Sequence, residues 1–298
     1  MIDLPDNLPV TVSRVLNAAS EIMGDPEADD IAFLHAVLAQ CALPYRDPKA
    51  RDYFRQNGRA GLIISAGYMI DPNTRAPALQ GVPYGAKPRL LMLHLCTEAI
   101  RTQSPVIPVA DSMTAFMRGL GLQATGGKNG SITRFKEQLN RLAAARMQMT
   151  FDAGETATIV NPGPVIERMD VWFPSDPRQR VLWPSEVRLS DQFFGSLQGH
   201  ALPIDPRAIR AIQHSARALD IYTWLVHRLP RVRSRNGDRV SWASLQIQFG
   251  TDSQDRRTFK RQFKDAARQA LAVYPRARIE DVDGGILLHK SPPAIRAR

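Results

Sequence analysis

Apolar residues in this chain recur mostly at steps of three and four, the spacing of amphipathic helices, with short alternating or continuous apolar runs between them. The pattern predicts two short helices at about 10–23 and 27–41, then a polar, charged stretch holding Arg46, Asp47, Lys49, Arg51, Asp52 and Arg55. Leu62–Ile64 and Tyr68–Ile70 read as strands around Gly67, and Asp71-Pro72-Asn73 is turn chemistry. The stretch Gly81-Val82-Pro83-Tyr84-Gly85-Ala86-Lys87-Pro88 should form an ordered bend, with Pro88 near the first turn of a helix. That helix, about 88–103, is apolar almost all round and so should be buried. Val106–Val109 follows as a strand. Asp111 or Ser112 can N-cap a helix ending near Leu120, with Gly121 as its stop. Beyond a Gly-rich loop, Ser131 is placed to cap a helix over 131–147 whose stripe is Ile132, Phe135, Leu139 and Leu142. Met147–Phe151 and Thr156–Val160 then flank a turn at Asp152-Ala153-Gly154, a β-hairpin.

Helix, strand, helix, helix, hairpin is the order of a winged helix-turn-helix, and the order recurs. After a proline-rich connection or extra strands over 161–189, Leu219, Tyr222, Val226 and Leu229 line a helix at about 215–229. Arg239–Trp242 is a brief strand, Ser241–Phe249 a short helix stopped by Gly250, and a long helix runs from about Asp255 to Val273. Arg278–Asp281 and Ile286–His289, about a turn at Asp283-Gly284-Gly285, close the second set as a hairpin. The expected fold is α+β, mainly helical, with two tandem winged helix-turn-helix domains and a short N-terminal helical extension. Residues 1–60 form the extension, 61–189 the first domain and 190–298 a second, basic domain.

Charge sharpens this picture. The chain carries a net charge of +10, and all of it lies in the last 99 residues: 19 Lys/Arg face 9 Asp/Glu there, against 20 of each before. Like charges gathered on one module repel, and a polyanion is the usual compensation. No apolar run reaches the roughly 20 residues of a membrane span, and the N-terminus has no secretory pattern, so a cytoplasmic protein without a membrane partner is expected. Cys41 and Cys96 lie in apolar, helix-like surroundings and should be reduced and buried. Without a Cys-x-x-Cys pair, and with scattered histidines, no metal and no cofactor are expected.

The helix over 255–273 carries the sharpest chemistry. Phe259, Phe263, Ala266 and Ala270 form one stripe, and Arg257, Arg261, Lys264 and Arg268 another. The stripes are offset by two residues, about 200° of helix, and so face opposite ways. Arg256 and Lys260 widen the basic face, which suits the major groove of duplex DNA. Arg276, Arg278 and Lys290 are expected on the hairpin, where a wing meets the DNA backbone. Arg233 and Arg235, with Arg231 and Arg239, lie in a loop that could grip phosphates. In the first domain Arg134, Gln138 and Arg141 share the face opposite the apolar stripe, after Lys128 and Asn129, and Ser131 with the first backbone N–H groups makes a phosphate-binding end. Thr125-Gly126-Gly127-Lys128-Asn129-Gly130-Ser131 fails as a nucleotide P-loop, because Leu122 stands at the first glycine and Asn129 at the hydroxyl position.

No enzyme motif is present: neither His-Glu-x-x-His, nor His-x-His, nor Gly-x-Ser-x-Gly. A DNA-nicking relaxase would use Tyr45, Tyr53, Tyr84 or Tyr222 as nucleophile, but no metal-binding cluster accompanies any of them.

Gly81 to Leu90, with Pro83-Tyr84-Gly85 and Pro88-Arg89, and Thr125 to Leu142, with Gly126-Gly127, Gly130, Arg134, Gln138 and Arg141-Leu142, resemble the plasmid-encoded RepA replication initiators of Proteobacteria. The resemblance spans roughly residues 60–290. It implies a protein that binds double-stranded DNA at repeats in a plasmid origin and recruits host helicase and initiator proteins. It also implies repression of its own promoter, often as a homodimer. By that likeness Lys128, Arg134, Gln138 and Arg141 are DNA-contact candidates. A dedicated transcriptional repressor with the same fold remains open at this point.

Overall fold

The structure is a computed structural model of the 298-residue chain, and it describes residues 21–22, 30–71, 74–108, 112–152, 157–169, 186–251 and 255–295. The chain divides into two compact units, Phe33–Ala201 and Leu202–Arg298, the latter together with Met1–Ala32. Both mix helices with antiparallel strands. Among the described residues no helix is long and apolar enough to cross a membrane. The helix expected at 10–23 lies almost wholly outside the described residues. Most of the one expected at 27–41 is described, and there a strand, β1 (Ala32–His35), precedes a single short helix, α1 (Ala36–Gln40). The His35 imidazole caps α1 by accepting the Val37 N–H.

In the first unit the polar stretch after α1 runs through irregular chain and bends as far as Arg51. It leads into β2 (Asp52–Asn57), which pairs antiparallel with β3 (Ala60–Ser65), Phe54 opposite Ile63. Alternation along β3 buries Ala60, Leu62 and Ile64. A ribbon of β4 (Tyr68–Ile70) and β5 (Pro77–Leu79) leads to α2 (Ala86–Thr102), which buries Leu90, Leu91, Met92 and Leu95 as its all-round apolar character requires. β6 (Val106–Pro108), α3 (Met113–Gly119) and α4 (Ser131–Ala144) follow. Ser112 caps α3 through the Ala115 N–H, and Gly121 follows its end with φ of 73°. The α4 stripe of Phe135, Leu139 and Leu142 is buried, and Phe116 meets Phe135 edge-on with ring centroids 5.9 Å apart.

The pairing of the strands differs from the simple expectation. The hairpin of β7 (Arg146–Asp152) and β8 (Ala157–Pro164) joins β2 and β3 in a four-stranded sheet of order β2-β3-β7-β8. β6 pairs instead with β10 (Glu186–Leu189), and β10 with β9 (Ile166–Met169). The proline-rich connection thus supplies strands of its own, which complete the hydrogen bonds of β6. Helix α5 (Asp191–His200), capped by Ser190, ends the unit. Cys41 and Cys96 are free and buried, and burial pushes both thiols up to about 12.

The second unit opens with β11 (Ala201–Ile204) and α6 (Pro206–Ile212), the latter with Asp205 as cap and Pro206 in its first turn. Then come α7 (Ala216–Arg228), β12 (Asp238–Ser241), α8 (Trp242–Phe249) and α9 (Arg256–Ala272). Strands β13 (Ile279–Val282) and β14 (Gly285–Leu288) follow, in a three-stranded sheet of order β12-β14-β13. Aromatic side chains lock helices α7, α8 and α9 together. Trp224 of α7 meets Phe249 of α8 at 5.3 Å, Phe249 meets Phe263 of α9 at 5.7 Å, and Trp242 meets Phe263 edge-on at 5.8 Å.

Candidate nucleic-acid interface

Helix α9 presents two faces, as its spacing requires. Phe259, Phe263, Ala266, Ala267 and Ala270 are buried, and Asp255 fixes the helix start by accepting the Thr258 N–H at 2.9 Å. On the other side Arg256, Arg257 and Arg261 are exposed, and Lys260 is half-buried with its ammonium 5.4 Å from the centre of the Trp242 ring. Among the described residues none of these four cations has a carboxylate within ion-pair distance. The last two basic positions differ. Lys264 is hydrogen-bonded to the Asp281 carboxylate of β13, and Arg268 pairs with Asp265 at 2.7 Å. The cationic surface is therefore confined to the N-terminal half of the helix, which the stripe alone did not reveal.

The hairpin is reversed in sign from expectation. Arg278 and Lys290 are exposed, but they flank its base, where His289 donates its N–H to the Arg278 carbonyl, and half-buried Arg276 lies before the strand. The strands and tip carry Glu280, Asp281 and Asp283 instead. Register puts Asp238 and Ile279 both opposite Leu288, so the loop before β12 opens at the same end as Arg278 and Lys290. Arg233 and Arg235 are exposed in that loop, whereas Arg231 is tied to the His227 carbonyl and Arg239 to that of Asp283. A cavity of about 240 Å³ lies between α9 and the sheet, lined by Trp242, Phe263, Leu271, Ile279 and Ile286 among others.

In the first unit Lys128, Asn129 and Arg134 are exposed. The loop preceding α4 is closed on itself. Ser131 is the first helical residue, and Gly130 rather than Ser131 is the cap. The Ser131 hydroxyl donates to the Gln123 carbonyl at 2.6 Å, while the Ser131 and Ile132 N–H groups go to the Thr125 hydroxyl and carbonyl. A Cβ on Gly130 would stand 2.3 Å from the carbonyl oxygens of Thr125 and Gly126, so only glycine fits there. The expected phosphate-binding end at Ser131 is consequently occupied by the loop's own oxygens.

Gln138 and Arg141, expected among DNA contacts, are turned into the fold. The Gln138 side-chain carbonyl accepts the Tyr84 N–H at 2.8 Å. The Arg141 guanidinium donates to the Val82 carbonyl at 3.1 Å, pairs with Asp47 at 3.0 Å and Glu137 at 2.9 Å, and lies 5.0 Å from the centre of the Tyr84 ring. Burial opposes ionisation of Asp47, but the Lys49 N–H and the Arg141 guanidinium outweigh it and hold its carboxyl at about 2. Gly81 adopts φ of 74° against this guanidinium. Arg89 is buried and donates to the carbonyls of Leu43, Pro44 and Gly85. The two motif blocks are thus one clasp, α4 gripping the bend before α2. Sequence reasoning missed this because the grip joins residues 54 and 59 positions apart.

These features define a protein with an unneutralised basic helix face on an aromatic-cored unit, the class expected to meet a polyanion. Residues 82–244, more than half of the chain, match the model of the plasmid-encoded RepA proteins, and the chain belongs to that family. No curated protein and no solved structure shows significant similarity to it.

Proposed function

We propose that this protein is a non-enzymatic initiator of plasmid replication that binds duplex DNA in the origin through a helix-turn-helix formed by α8 and α9. Membership of the RepA family supports the replication role. The observation that carries the DNA contact is the outer face of α9, where Arg256, Arg257, Lys260 and Arg261 have no carboxylate partner among the described residues. In this reading α7, β12, α8, α9 and the β13–β14 hairpin are a winged helix-turn-helix module. The first unit is an elaborated relative of it, whose hairpin has been drawn into a larger sheet. Helix α9 enters the major groove, where arginine reaches guanine edges in bidentate fashion and lysine meets phosphate. Arg233, Arg235, Arg278 and Lys290 grip backbone at the other end of the sheet, and Lys128 and Arg134 serve the first unit. The protein acts in the cytoplasm on origin repeats and recruits host helicase or initiator proteins there. Repression of its own promoter follows from the same contacts.

A footprint on DNA flanking the gene tests the reading. Protected direct repeats, lost in Arg257→Ala and Arg261→Ala, are the expected result. Each substitution should cost roughly 1–3 kcal/mol if it removes a base contact, and less if it removes only phosphate. Protection of an inverted repeat over the promoter alone would favour a dedicated repressor, and no protection at all would end the proposal.

A further inference from the structure

The four cations left without a carboxylate on α9 are not held alike. Arg256, Arg257 and Arg261 are exposed, and among the described residues no aromatic ring lies beneath them. Lys260 is half-buried with its ammonium 5.4 Å from the centre of the Trp242 ring, and Lys264, one turn on, is 5.6 Å from the same centre. Trp242 is only 5% exposed and is fixed on several sides. Its N–H donates to the Gly284 carbonyl in the hairpin turn at 3.0 Å, and its ring meets Phe263 edge-on. Ser241, immediately before it, caps α8 by accepting the Ser244 N–H. One rigid indole thus carries two lysines four residues apart on the same helix. Their fates differ. Lys264 is also hydrogen-bonded to Asp281, so its charge is balanced within the fold. Lys260 has the ring and, among the described residues, no carboxylate. A carboxylate orders a lysine but cancels its charge, whereas the negative face of an indole attracts the ammonium and leaves the charge uncancelled. An ammonium has three donors, so some remain for a phosphate when one side rests on a ring.

We propose that Trp242 is a positioning residue for DNA binding: its indole holds the Lys260 ammonium in place for a backbone phosphate without neutralising it. The proposal rests on the DNA-binding reading above, in which lysine meets phosphate. Trp242 is almost wholly buried and acts through Lys260. Lysine has a flexible four-carbon stem, and ordering it costs rotamer freedom. Resting on the ring, the Lys260 stem is ordered when the protein folds rather than when DNA arrives, which is preorganisation. The same ring carries Lys264, so Asp281 and not the indole decides which of the two lysines stays available.

The test is a double-mutant cycle of full-length protein on one origin duplex, well below the melting temperature of every variant. Trp242→Phe keeps an aromatic ring against Phe263 but offers the ammonium a weaker face. It should weaken binding roughly two- to fivefold and leave the slope of log K against log salt unaltered, because no charge is lost. Lys260→Met should weaken binding and reduce the magnitude of that slope by about 1. In the Lys260→Met background Trp242→Phe should have no further effect, since positioning acts through that ammonium. No loss in Trp242→Phe, or an equal loss in both backgrounds, would overturn the inference. NMR of the unaltered protein with isotope-labelled lysine needs no variant. The Lys260 ε-methylene protons should be shifted upfield by the indole and stay so when the duplex is added. Absence of that shift, or its loss on adding DNA, would overturn the inference equally. If Lys260→Met leaves affinity and slope unchanged while Arg257→Ala weakens binding, the inference fails and the DNA-binding reading stands. Absence of salt-dependent binding by the unaltered protein would remove both.

Discussion

Removing the Arg141 guanidinium leaves the Asp47 carboxylate with only the Lys49 N–H and ammonium as partners and frees the Val82 carbonyl and the Tyr84 ring. Surface pairs contribute under about 1 kcal/mol and buried ones about 3–5 when one partner is removed. This pair is between those limits, so Arg141→Ala should cost roughly 2–3 kcal/mol, read as a lowered melting temperature. Its salt slope on DNA, taken below that temperature, should stay that of the unaltered protein. Acid sensitivity also originates in single residues. His35 is fully buried, with Nε2 3.0 Å from the Ser196 hydroxyl and its ring 5.7 Å from those of Phe193 and His200. Burial first, then the His200 charge, lowers it to about 3; burial, Arg231 and Arg228 lower His227 to about 4. Each folded value lies below the unfolded one, so the unfolded chain binds the proton more readily and stability falls as pH drops below 6.5. Between pH 7 and 5 each should cost about 2 kcal/mol. Thermal melts at the two pH values, with a His35→Gln variant that should remove about half of the dependence, check it.

At the scale of elements, α9 and the β13–β14 hairpin set the reach of the basic surface. The hairpin brings Asp281 to Lys264, and Glu280 and Asp283 lie beside it, so a phosphate approaching this half of α9 meets carboxylates. Asp281→Asn should release Lys264, tighten binding several-fold and steepen the salt slope by about 1. Weaker binding by Asp281→Asn would show that the hairpin positions α9 rather than limits it. Helices α3, α7, α8 and α9 were legible because their caps and stripes are local: Ser112, Ser215, Ser241 and Asp255 each accept a backbone N–H three residues on within their own helix, whereas α5, capped in the same way by Ser190, was not read. Strand partners were not. Nothing in Val106-Ile107-Pro108 says that it pairs with Val187 and its neighbours rather than with the following hairpin.

For the whole molecule, the net charge of +10 bounds how strongly salt should compete with DNA. If about eight phosphates are neutralised, the slope of log K against log salt should lie near −7. A slope near −2 would mean that most of these cations are solvated bystanders. The sequence by itself determined the uneven charge, the helices with their caps, and the opposed apolar and basic faces of α9, since each depends on residues a few positions apart. Tertiary structure decided which of those charges stay available. It turned Gln138 and Arg141 inward, filled the Ser131 end with loop oxygens and set Asp281 on Lys264. Those outcomes depend on satisfying buried polar groups across long stretches of chain, and no local spacing encodes that.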